Sequence, residues 1–338
     1  MIVVFGGYGT FGAHVARALA GAGIPARIAG RDLTRAASLA ADVNDPASCA
    51  RALAGTRVAV NCAGPFSTLG LALPESCLAA GVHYVDIADD RGWFARLRGL
   101  DNRFRERGLA AAVGCSSLPG ISGALALLAA ERLSAVERVR VTLFIGNRNP
   151  KGEAAVRAAA TQLGRAFLTP QGTLRGFRGR EIVGLPPPFG PRAVYDWDSP
   201  ELDLFPDLLG VRAVRVKVGF EARLATRSFA VLARLGPRLG GLLLSGMTPI
   251  ARWLSNFGHS GGFVKAELFA PDGTVSAAAI GAASEGQRMA ALPAAFVAQG
   301  LYDGSVIARG LVTAYEALGA RPLVERLVAE GYEVIYGD

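Results

Sequence analysis

The chain has 338 residues, of which 51% are hydrophobic and 19% charged, so it can bury a substantial core and is too apolar for a disordered chain. Its formal net charge is +8, yet only three of its 36 basic residues are lysines, and the arginines are scattered among acidic residues. Without a basic run or interleaved aromatics, this charge indicates ordinary surface charge with some anion sites and excludes a nucleic-acid partner.

Cysteine and histidine are scarce, which excludes further classes. The four cysteines, Cys49, Cys62, Cys77 and Cys115, form no CxxC pair, and the histidines are His14, His83 and His259. We therefore expect neither a metal site nor a disulfide framework. A strand starting at Ile2 leaves no room for a signal peptide, so we expect a cytoplasmic protein.

The first predicted elements are a strand, a glycine turn and a helix. Ile2 to Phe5 is wholly apolar, Gly6-Gly7-Tyr8-Gly9-Thr10-Phe11-Gly12 follows, and Val15, Ala16, Leu19 and Ala20 have helical spacing. This order is the context that a dinucleotide-binding fingerprint requires. The glycines allow a tight turn and a close approach to a pyrophosphate, and the helix N-terminus attracts it. We expect Gly7, Gly9, Thr10, Phe11 and Gly12 to bind the cofactor.

The residue that follows the second strand bears on the cofactor. Ala26 to Ala29 is predicted as a strand, and Gly30-Arg31-Asp32 comes next. A guanidinium at this point suits the 2′-phosphate of NADP(H), whereas NAD sites usually place a carboxylate there. Arg31 therefore favours NADP with NAD possible. Asp32 complicates this choice, and the alternative for Arg31 is a solvated turn residue.

Strands and helices continue to alternate and predict a doubly wound parallel sheet of the Rossmann type. Leu33 to Ala40 is predicted as a helix, and residues 42–45 as a strand end whose Asp45 reaches the adenine. Further strands are predicted at Val58–Cys62, Tyr84–Ile87 and Leu109–Val113. Ligands lie at the carboxyl ends of such strands, which selects Ala63, Gly64, Pro65 and Asp86, and also Asp89, Cys115 and Ser116.

The pattern changes after about residue 133. Alternating apolar residues near Val139–Ile145, Val214–Val218 and Val264–Leu268, with a turn at Pro271-Asp272-Gly273, predict strands of a sheet with one covered face. The most apolar later stretch, Phe229 to Leu254, is interrupted by charges and is too short to span a membrane. We expect it to form buried helices and leave a membrane contact as the minor alternative. The tail from Glu285 is predicted to be helical.

Several motifs resemble those of the saccharopine dehydrogenase/reductase-like family of NADP-binding oxidoreductases. The matching segments are GGYGTFG, IAGRD, VNCAGPF, LPESCLAAGVHYVDIADD, GCSSLPGISGALA and RGLVTAYEALGARPLVERLVAEG. The resemblance covers most of the chain and is weaker between Phe167 and Gly262. It implies a Rossmann domain of residues 1–132 plus 285–338. It also implies an inserted α+β mixed-sheet domain, residues 133–284, for substrate binding and dimerisation, and hence a homodimer.

The resemblance also points to catalytic candidates. Where reductases of this family carry a small Ser-Gly-Gly-Thr-like turn, this chain has residues 146–153 with Lys151 among them. At a helix N-terminus the pKa of Lys151 would fall, so that it could donate a proton after hydride transfer. The alternative is a solvated turn lysine. Asp86 is the second catalytic candidate, and its alternative role is to bind the N–H groups of the next loop.

Three functions remain open at this point. The first is an NADP(H)-dependent oxidoreductase that transfers a hydride to or from a C=N, C=O or activated C=C bond of a small molecule. The second is a non-catalytic NADP(H) sensor. The third is a reductase of lipid-linked enoyl substrates that docks through Phe229–Leu254. The chain has no Tyr-x-x-x-Lys pair, which argues against short-chain dehydrogenase chemistry.

Overall fold

The computed structural model describes residues 1–32, 39–150, 159–236, 239–240, 242–243 and 256–337. The chain divides into two compact units. The first contains Met1–Ile121 and Arg288–Leu323, and the second contains Ser122–Gln287 and Val324–Asp338.

The first unit is built on a seven-stranded parallel sheet. Its strands lie in the order β15-β6-β5-β4-β1-β2-β3. They are β1 Ile2–Phe5, β2 Ala26–Gly30, β3 Leu39–Ala40, β4 Val58–Asn61, β5 His83–Asp86, β6 Ala110–Ala112 and β15 Gly310–Val312. β1 and β4 are buried at every residue, as an apolar strand in the middle of a parallel sheet must be.

Helices connect these strands in the first part of the chain. They are α1 Gly12–Gly21, α2 Pro46–Leu53, α3 Ala72–Ala80, α4 Arg91–Arg98 and α5 Asp101–Glu106. Local sequence sets their ends: Asp45 and Asp90 cap α2 and α4 through side-chain oxygens, and Gly81 ends α3 in the left-handed conformation. The strand order, with its reversal between β1 and β4, confirms the predicted Rossmann-type sheet.

The second unit contains a mixed sheet of seven strands in the order β10-β11-β12-β7-β13-β14-β16. β12 and β7 are parallel and the other pairs antiparallel. The strands are β7 Arg138–Ile145, β10 Glu181–Val183, β11 Arg192–Asp196, β12 Ala213–Phe220, β13 Gly262–Phe269, β14 Val275–Ala282 and β16 Glu333–Gly337. β8 Ala166–Thr169 and β9 Gly172–Arg175 form a separate hairpin.

The remaining helices are α6 Ser122–Ala130, α7 Glu201–Leu209, α8 Arg223–Leu232, α9 Gly286–Asp303, α10 Ala314–Leu318 and α11 Ala320–Ala329. α6 packs on β13 and β14, and α7 packs on β12. The predicted fold class is thus confirmed: a Rossmann-type sheet and an inserted mixed-sheet α+β part.

The region after β2 differs from the prediction. Residues 33–38 lie outside the described part of the chain, Leu39–Ala40 is a strand, and residues 42–45 are not a strand. The Asn44 N–H donates to the Asp42 carboxylate at 2.9 Å, and the Ala47 N–H donates to that of Asp45 at 3.0 Å. These side-chain contacts favour a turn and a helix cap over a strand.

The tail also differs from the helical prediction, because it contains two strands. β15 extends the first sheet beside β6, whereas β16 pairs with β14 in the second sheet. Residues 122–132, 285–287 and 324–338 belong to the second compact unit. The division into functional domains of residues 1–132 plus 285–338 and 133–284 stays a prediction. β14 offers its backbone groups to β16, which holds the chain end in that sheet.

The second sheet buries more of its polar face than the alternating pattern predicted. Thr142, Lys217 and Glu267 face away from the apolar side of their strands, and all three are buried. Lys217 is 2% exposed and contacts Asp196 at 2.7 Å and Glu181 at 2.8 Å. The expectation of one covered face was therefore wrong, since ion pairs let charged side chains leave water.

Candidate functional site

The turn between β1 and α1 has room only for glycine at two positions. The Gly9 N–H donates to the Gly6 carbonyl at 2.9 Å, which closes the turn. A Cβ at Gly12 would lie 2.3 Å from the Gly6 oxygen. Gly6 has a φ of +71°, and a Cβ there would lie 2.9 Å from the Ala63 nitrogen. Side chains at these positions would therefore separate α1 from the turn and the turn from β4.

The N-terminus of α1 offers unused hydrogen-bond donors. Among the described residues, the backbone N–H groups of Thr10, Phe11 and Gly12 have no hydrogen-bond partner. The helical bonds begin at Ala13, whose N–H donates to Gly9 at 2.9 Å. The first turn of α1 carries no acidic residue that would offset the helix dipole. These donors and the close backbone approach fit a pyrophosphate group.

Tyr8 joins the glycine turn to the end of β2. A Cβ at Gly30 would lie 2.1 Å from the Tyr8 ring, so the ring lies directly against that glycine. The Asp32 N–H donates to the Tyr8 hydroxyl at 3.4 Å. Arg31 lies between these two contacts and is exposed. The guanidinium of Arg31 therefore belongs to the segment that Tyr8 holds next to the turn. The sequence reading did not identify Tyr8, although an aromatic inside the glycine motif was a visible signal.

The loop after β4 lies against the same turn. The Asn61 side-chain oxygen accepts the Ala63 N–H at 3.0 Å, and the Cys62 N–H donates to Phe5 at 2.8 Å. The Gly64–Pro65 peptide bond that follows is cis. The structure thus places the predicted residue Ala63 against the glycine turn, with Gly64 and Pro65 directly after it in the chain.

Asp45 serves locally as the N-cap of α2 and is exposed. Its neighbour Asn44 accepts the Gly70 N–H at 3.1 Å through its side-chain oxygen, which ties this loop to the chain after β4. A contact of Asp45 with the adenine remains a prediction.

Asp86 is the centre of a buried hydrogen-bond network at the ends of β4, β5 and β6. Its Oδ2 accepts the Tyr84 hydroxyl at 3.0 Å and the Trp93 indole N–H at 2.7 Å. Its Oδ1 accepts the N–H groups of Ala88 at 3.0 Å and Gly114 at 2.8 Å. The Asn61 amide donates to the Tyr84 oxygen at 3.1 Å and extends the network to β4. One carboxylate therefore positions three strand-end loops.

This environment changes the chemistry of Asp86 and of nearby thiols. Burial raises the pKa of Asp86 to about 6, although its four hydrogen bonds lower it in part. The side chain is 0% exposed. Burial and the charge of Asp86 raise the pKa of Cys62 and Cys115, so both thiols stay protonated near neutral pH. Burial also raises the pKa of Asp89, on the loop after β5, to about 6.

The second catalytic candidate, Lys151, lies outside the described residues. The segment before it is well held: the Asn149 side chain donates to the carbonyls of Gly146 at 3.0 Å and Gly261 at 2.7 Å. The Asn147 N–H donates to Glu221 at 2.9 Å, and Glu221 also binds His259. The sequence reading missed Glu221, since nothing in the chain near it marks its partners.

In the ranges that the structure describes, no group of three or more His, Cys, Asp or Glu residues could hold a metal ion. No helix in those ranges is both long and apolar enough to cross a membrane.

Comparison with known proteins relates this geometry to a family. Residues 2–101 match the saccharopine dehydrogenase NADP binding domain. The fold is similar to that of saccharopine dehydrogenase (L-Glu forming) from Saccharomyces cerevisiae, with a TM-score of 0.71 and 12% identity over 100% of this chain and 99% of that chain. No curated protein matches the sequence.

Weaker fold likenesses extend along most of the chain. An engineered D-amino acid dehydrogenase bound to NADP⁺ has a TM-score of 0.47 and 14% identity over 98% of each chain. A meso-dapdh mutant with DAP from Clostridium tetani has a TM-score of 0.46 and 12% identity over 93% of each chain.

Residues 2–101, which lie within the first unit, are therefore similar to an NADP-binding domain of the saccharopine dehydrogenase type. The match of residues 2–101 confirms the resemblance for this part of the chain, and the likeness to the yeast enzyme shows a similar fold. The match to an NADP binding domain confirms NADP as the cofactor.

Proposed function

We propose that the protein transfers a hydride between NADP(H) and a C=N, C=O or activated C=C bond of a small molecule. The observation that carries this proposal is the set of unused N–H donors at Thr10, Phe11 and Gly12 in a domain of the NADP-binding type. When bound, NADPH supplies the hydride. The chain's own residues bind it, orient it and manage the accompanying proton.

In this proposal the roles of the first unit are divided among its loops. Gly7, Gly9, Thr10, Phe11 and Gly12 hold the pyrophosphate, and Arg31 pairs with the 2′-phosphate. Asp45 reaches the adenine, and Ala63, Gly64 and Pro65 lie along the nicotinamide half. Asp86 acts as a positioning residue, because its oxygens are fully used by four donors and it is 0% exposed.

The second unit supplies the substrate-binding surface in this proposal. Lys151 is its sequence-based candidate proton donor. We expect Lys151→Ala to abolish turnover and to leave NADPH affinity unchanged, because the lysine would act on the substrate and not on the cofactor. Steady-state kinetics and a fluorescence titration of NADPH test this, and normal turnover in the variant would remove Lys151 from the mechanism.

The test of the function as a whole is a binding and turnover experiment. NADPH and NADH binding is measured by fluorescence, and imines, ketones and enoyl esters are then offered with NADPH. Saccharopine is included for the reverse direction with NADP⁺, since the fold is similar to that of saccharopine dehydrogenase (L-Glu forming). Oxidation of NADPH by any panel member supports the proposal and rejects the non-catalytic sensor. Tight binding without any turnover supports the sensor.

One observation favours the lipid-linked alternative. Large apolar side chains are exposed along the described part of the apolar stretch, including Val231 at 58%, Leu235 at 48% and Leu242 at 70%. Such a patch could dock on a lipid surface. Flotation with liposomes tests this alternative. Binding to liposomes favours reduction of lipid-linked enoyl substrates. A protein that does not bind and is fully soluble in detergent-free buffer argues against this function.

The homodimer and the cytoplasmic location also belong to this proposal. They follow from the resemblance and from the cysteine pattern. Sedimentation equilibrium tests the first, and cell fractionation tests the second.

A further inference from the structure

Tyr8 connects the glycine turn with the end of β2 in the first unit. Backbone hydrogen bonds already fix this strand end, because the Gly6 N–H donates to Ala29 at 2.8 Å and the Ala41 N–H donates to Gly30 at 3.0 Å. The Tyr8 ring lies against the same strand end. A Cβ at Gly30 would be 2.1 Å from its Cε1 and 2.7 Å from its Cζ. The ring therefore occupies the space that a side chain at position 30 would fill.

The hydroxyl of Tyr8 acts on the chain beyond the strand end. It accepts the Asp32 N–H at 3.4 Å, two residues after β2 ends at Gly30. The position of the ring and this hydrogen bond are coupled, because the hydroxyl would lie 2.8 Å from a Cβ at Gly30. Arg31 lies between the two contacts and is exposed. Tyr8 therefore fixes the main chain on both sides of Arg31 to the glycine turn.

The chain after β2 carries two opposite charges in adjacent residues. The guanidinium of Arg31 suits a 2′-phosphate, whereas the carboxylate of Asp32 suits a free 2′-hydroxyl and repels a phosphate. Both residues are exposed. Which of the two charges faces the ribose depends on the main-chain conformation, and the Tyr8 hydroxyl holds the peptide N–H that joins them.

A packing role for Tyr8 would require only its ring. The turn and β2 already lie close together here, since a Cβ at Gly7 would be 2.9 Å from the Ile28 side chain. Phenylalanine would fill the space beside Gly30 equally well. The hydroxyl reaches beyond the strand and holds a backbone N–H rather than a side chain. Its effect is therefore on the course of the main chain after the strand.

We propose that Tyr8 is a positioning residue for cofactor selectivity, which holds the Asp32 N–H and thereby places Arg31 to receive the 2′-phosphate of NADP(H). The inference rests on the cofactor contacts in the proposed function above. Binding groups are effective when a supporting hydrogen bond fixes their position before the ligand arrives. Without the hydroxyl the segment keeps both charges and loses the conformation that presents the cation to the phosphate. All three residues lie in the first unit, so the second unit has no part in this role.

The first test compares two nucleotides that lack the nicotinamide half. Adenosine 2′,5′-bisphosphate carries the 2′-phosphate, and 5′-AMP does not. We expect the wild-type protein to bind the bisphosphate at least about 10-fold more tightly. Tyr8→Phe keeps the ring and removes the acceptor, so the ratio of the two Kd values should fall about 3- to 10-fold, the range for one neutral hydrogen bond. Calorimetric titration of both nucleotides measures this ratio.

Tyr302→Phe is the matched control for the loss of a hydroxyl. Tyr302 is half-buried on α9 and belongs to the same unit. Its variant should have the wild-type ratio of Kd values. A purely structural role of Tyr8 would weaken both nucleotides by the same factor. An unchanged ratio in Tyr8→Phe therefore overturns the proposal, whatever happens to the individual affinities.

The second test displaces the ring without altering it. Gly30→Ala places a methyl group where the Tyr8 ring lies, and the φ of Gly30 is outside the left-handed region, so alanine suits the main chain. We expect the ratio to fall at least as far as in Tyr8→Phe. Adding Tyr8→Phe to Gly30→Ala should then change it by less than about twofold, since the hydroxyl has already left Asp32. Gly21→Ala should leave the ratio unchanged, and strictly additive effects of the two substitutions would contradict the coupling.

The outcomes distinguish this inference from the proposed function. A wild-type protein that binds both nucleotides equally contradicts the role of Tyr8, whereas turnover of a panel compound would still support hydride transfer. Selective binding that depends on Tyr8, in a protein that reduces no panel compound, supports the inference and contradicts hydride transfer. A protein that binds neither nucleotide nor NADPH contradicts both.

Discussion

Gly12 shows how much of the cofactor site depends on single atoms. Its missing side chain allows α1 to start directly beneath the Gly6 carbonyl, 2.3 Å from where a Cβ would lie. That approach sets where α1 begins, at the point where the N–H groups of Thr10, Phe11 and Gly12 have no partner among the described residues. The requirement is local, so the sequence alone predicted it correctly.

We expect Gly12→Ala to weaken NADPH binding about 100-fold or more, because α1 must move away from the turn. Gly21→Ala is a matched control in the same helix, where a Cβ would meet nothing within 4 Å. The control should bind normally and gain at most about 1 kcal/mol of stability. Calorimetric titration of both variants checks this, and equal affinities would show that the turn does not hold the cofactor.

Arg31 determines the choice between the two nicotinamide cofactors in our proposal. Arg31→Ala should raise the Kd for NADPH about 10- to 100-fold, because the variant loses charge-assisted hydrogen bonds to the 2′-phosphate. The Kd for NADH should change little, because NADH lacks the 2′-phosphate. Arg51→Ala, an exposed arginine on α2, serves as the control. A parallel loss of both cofactors would assign Arg31 another role.

Residues that act over long distances along the chain were beyond prediction. Glu221 contacts Asn147 and His259, which lie 74 and 38 residues away in the sequence. No local spacing marks such a cluster, because it exists only after β7, β12 and β13 have paired. The sequence analysis identified His259 only as one of three histidines.

At the scale of elements, long or strongly apolar segments were predicted well and short ones were not. β1, β4 and the hairpin of β13 and β14 follow their predicted patterns. β15 has three residues and β16 lies exposed at a sheet edge, so neither carries enough periodicity to identify it. Residues 42–45 were misassigned as a strand end, because the Asp42 and Asp45 carboxylates bind nearby backbone N–H groups and so favour a turn and a helix cap.

The Asp86 network predicts a specific dependence of stability on pH. A buried acid with its pKa raised from 3.8 to about 6 favours the folded state when protonated. Its contribution is therefore full below about pH 4 and is lost as pH rises to about 6. The network's donors limit that loss by stabilising the carboxylate.

Tyr84→Phe removes one of those donors without changing the ring. We expect the free energy of unfolding to fall by about 2 kcal/mol at pH 8 and by clearly less at pH 4, where Asp86 is protonated. Urea denaturation at both pH values measures this. Tyr195→Phe, a buried tyrosine on β11, is the control and should show no such difference. An effect that is equal at both pH values would contradict the role assigned to the carboxylate.

At the scale of the whole molecule, the second sheet combines an apolar face with a face of buried ion pairs. Lys217 contacts Asp196 at 2.7 Å and Glu181 at 2.8 Å. Arg140 contacts Glu181 and Glu267, both at 2.9 Å. Alternating charges in a strand ordinarily indicate a solvated face. The sequence could not show that strands distant in the chain would bring opposite charges together.

Lys217→Met should lower the free energy of unfolding by about 3–5 kcal/mol at pH 7, since it removes the cation that lies 2.7 Å from the buried Asp196 carboxylate. Lys265→Met removes a more exposed lysine, 17% accessible, that contacts Glu267 at 2.9 Å. That control should lose about 1 kcal/mol or less. Chemical denaturation compares the two, and a similar small loss in both variants would show that the buried pair contributes little.

A structure of the protein with NADPH tests the central claim most directly. We expect the pyrophosphate to accept hydrogen bonds from the N–H groups of Thr10 to Gly12 and the 2′-phosphate to contact the Arg31 guanidinium. NADPH bound elsewhere, with this turn empty or covered by another segment, would contradict the account.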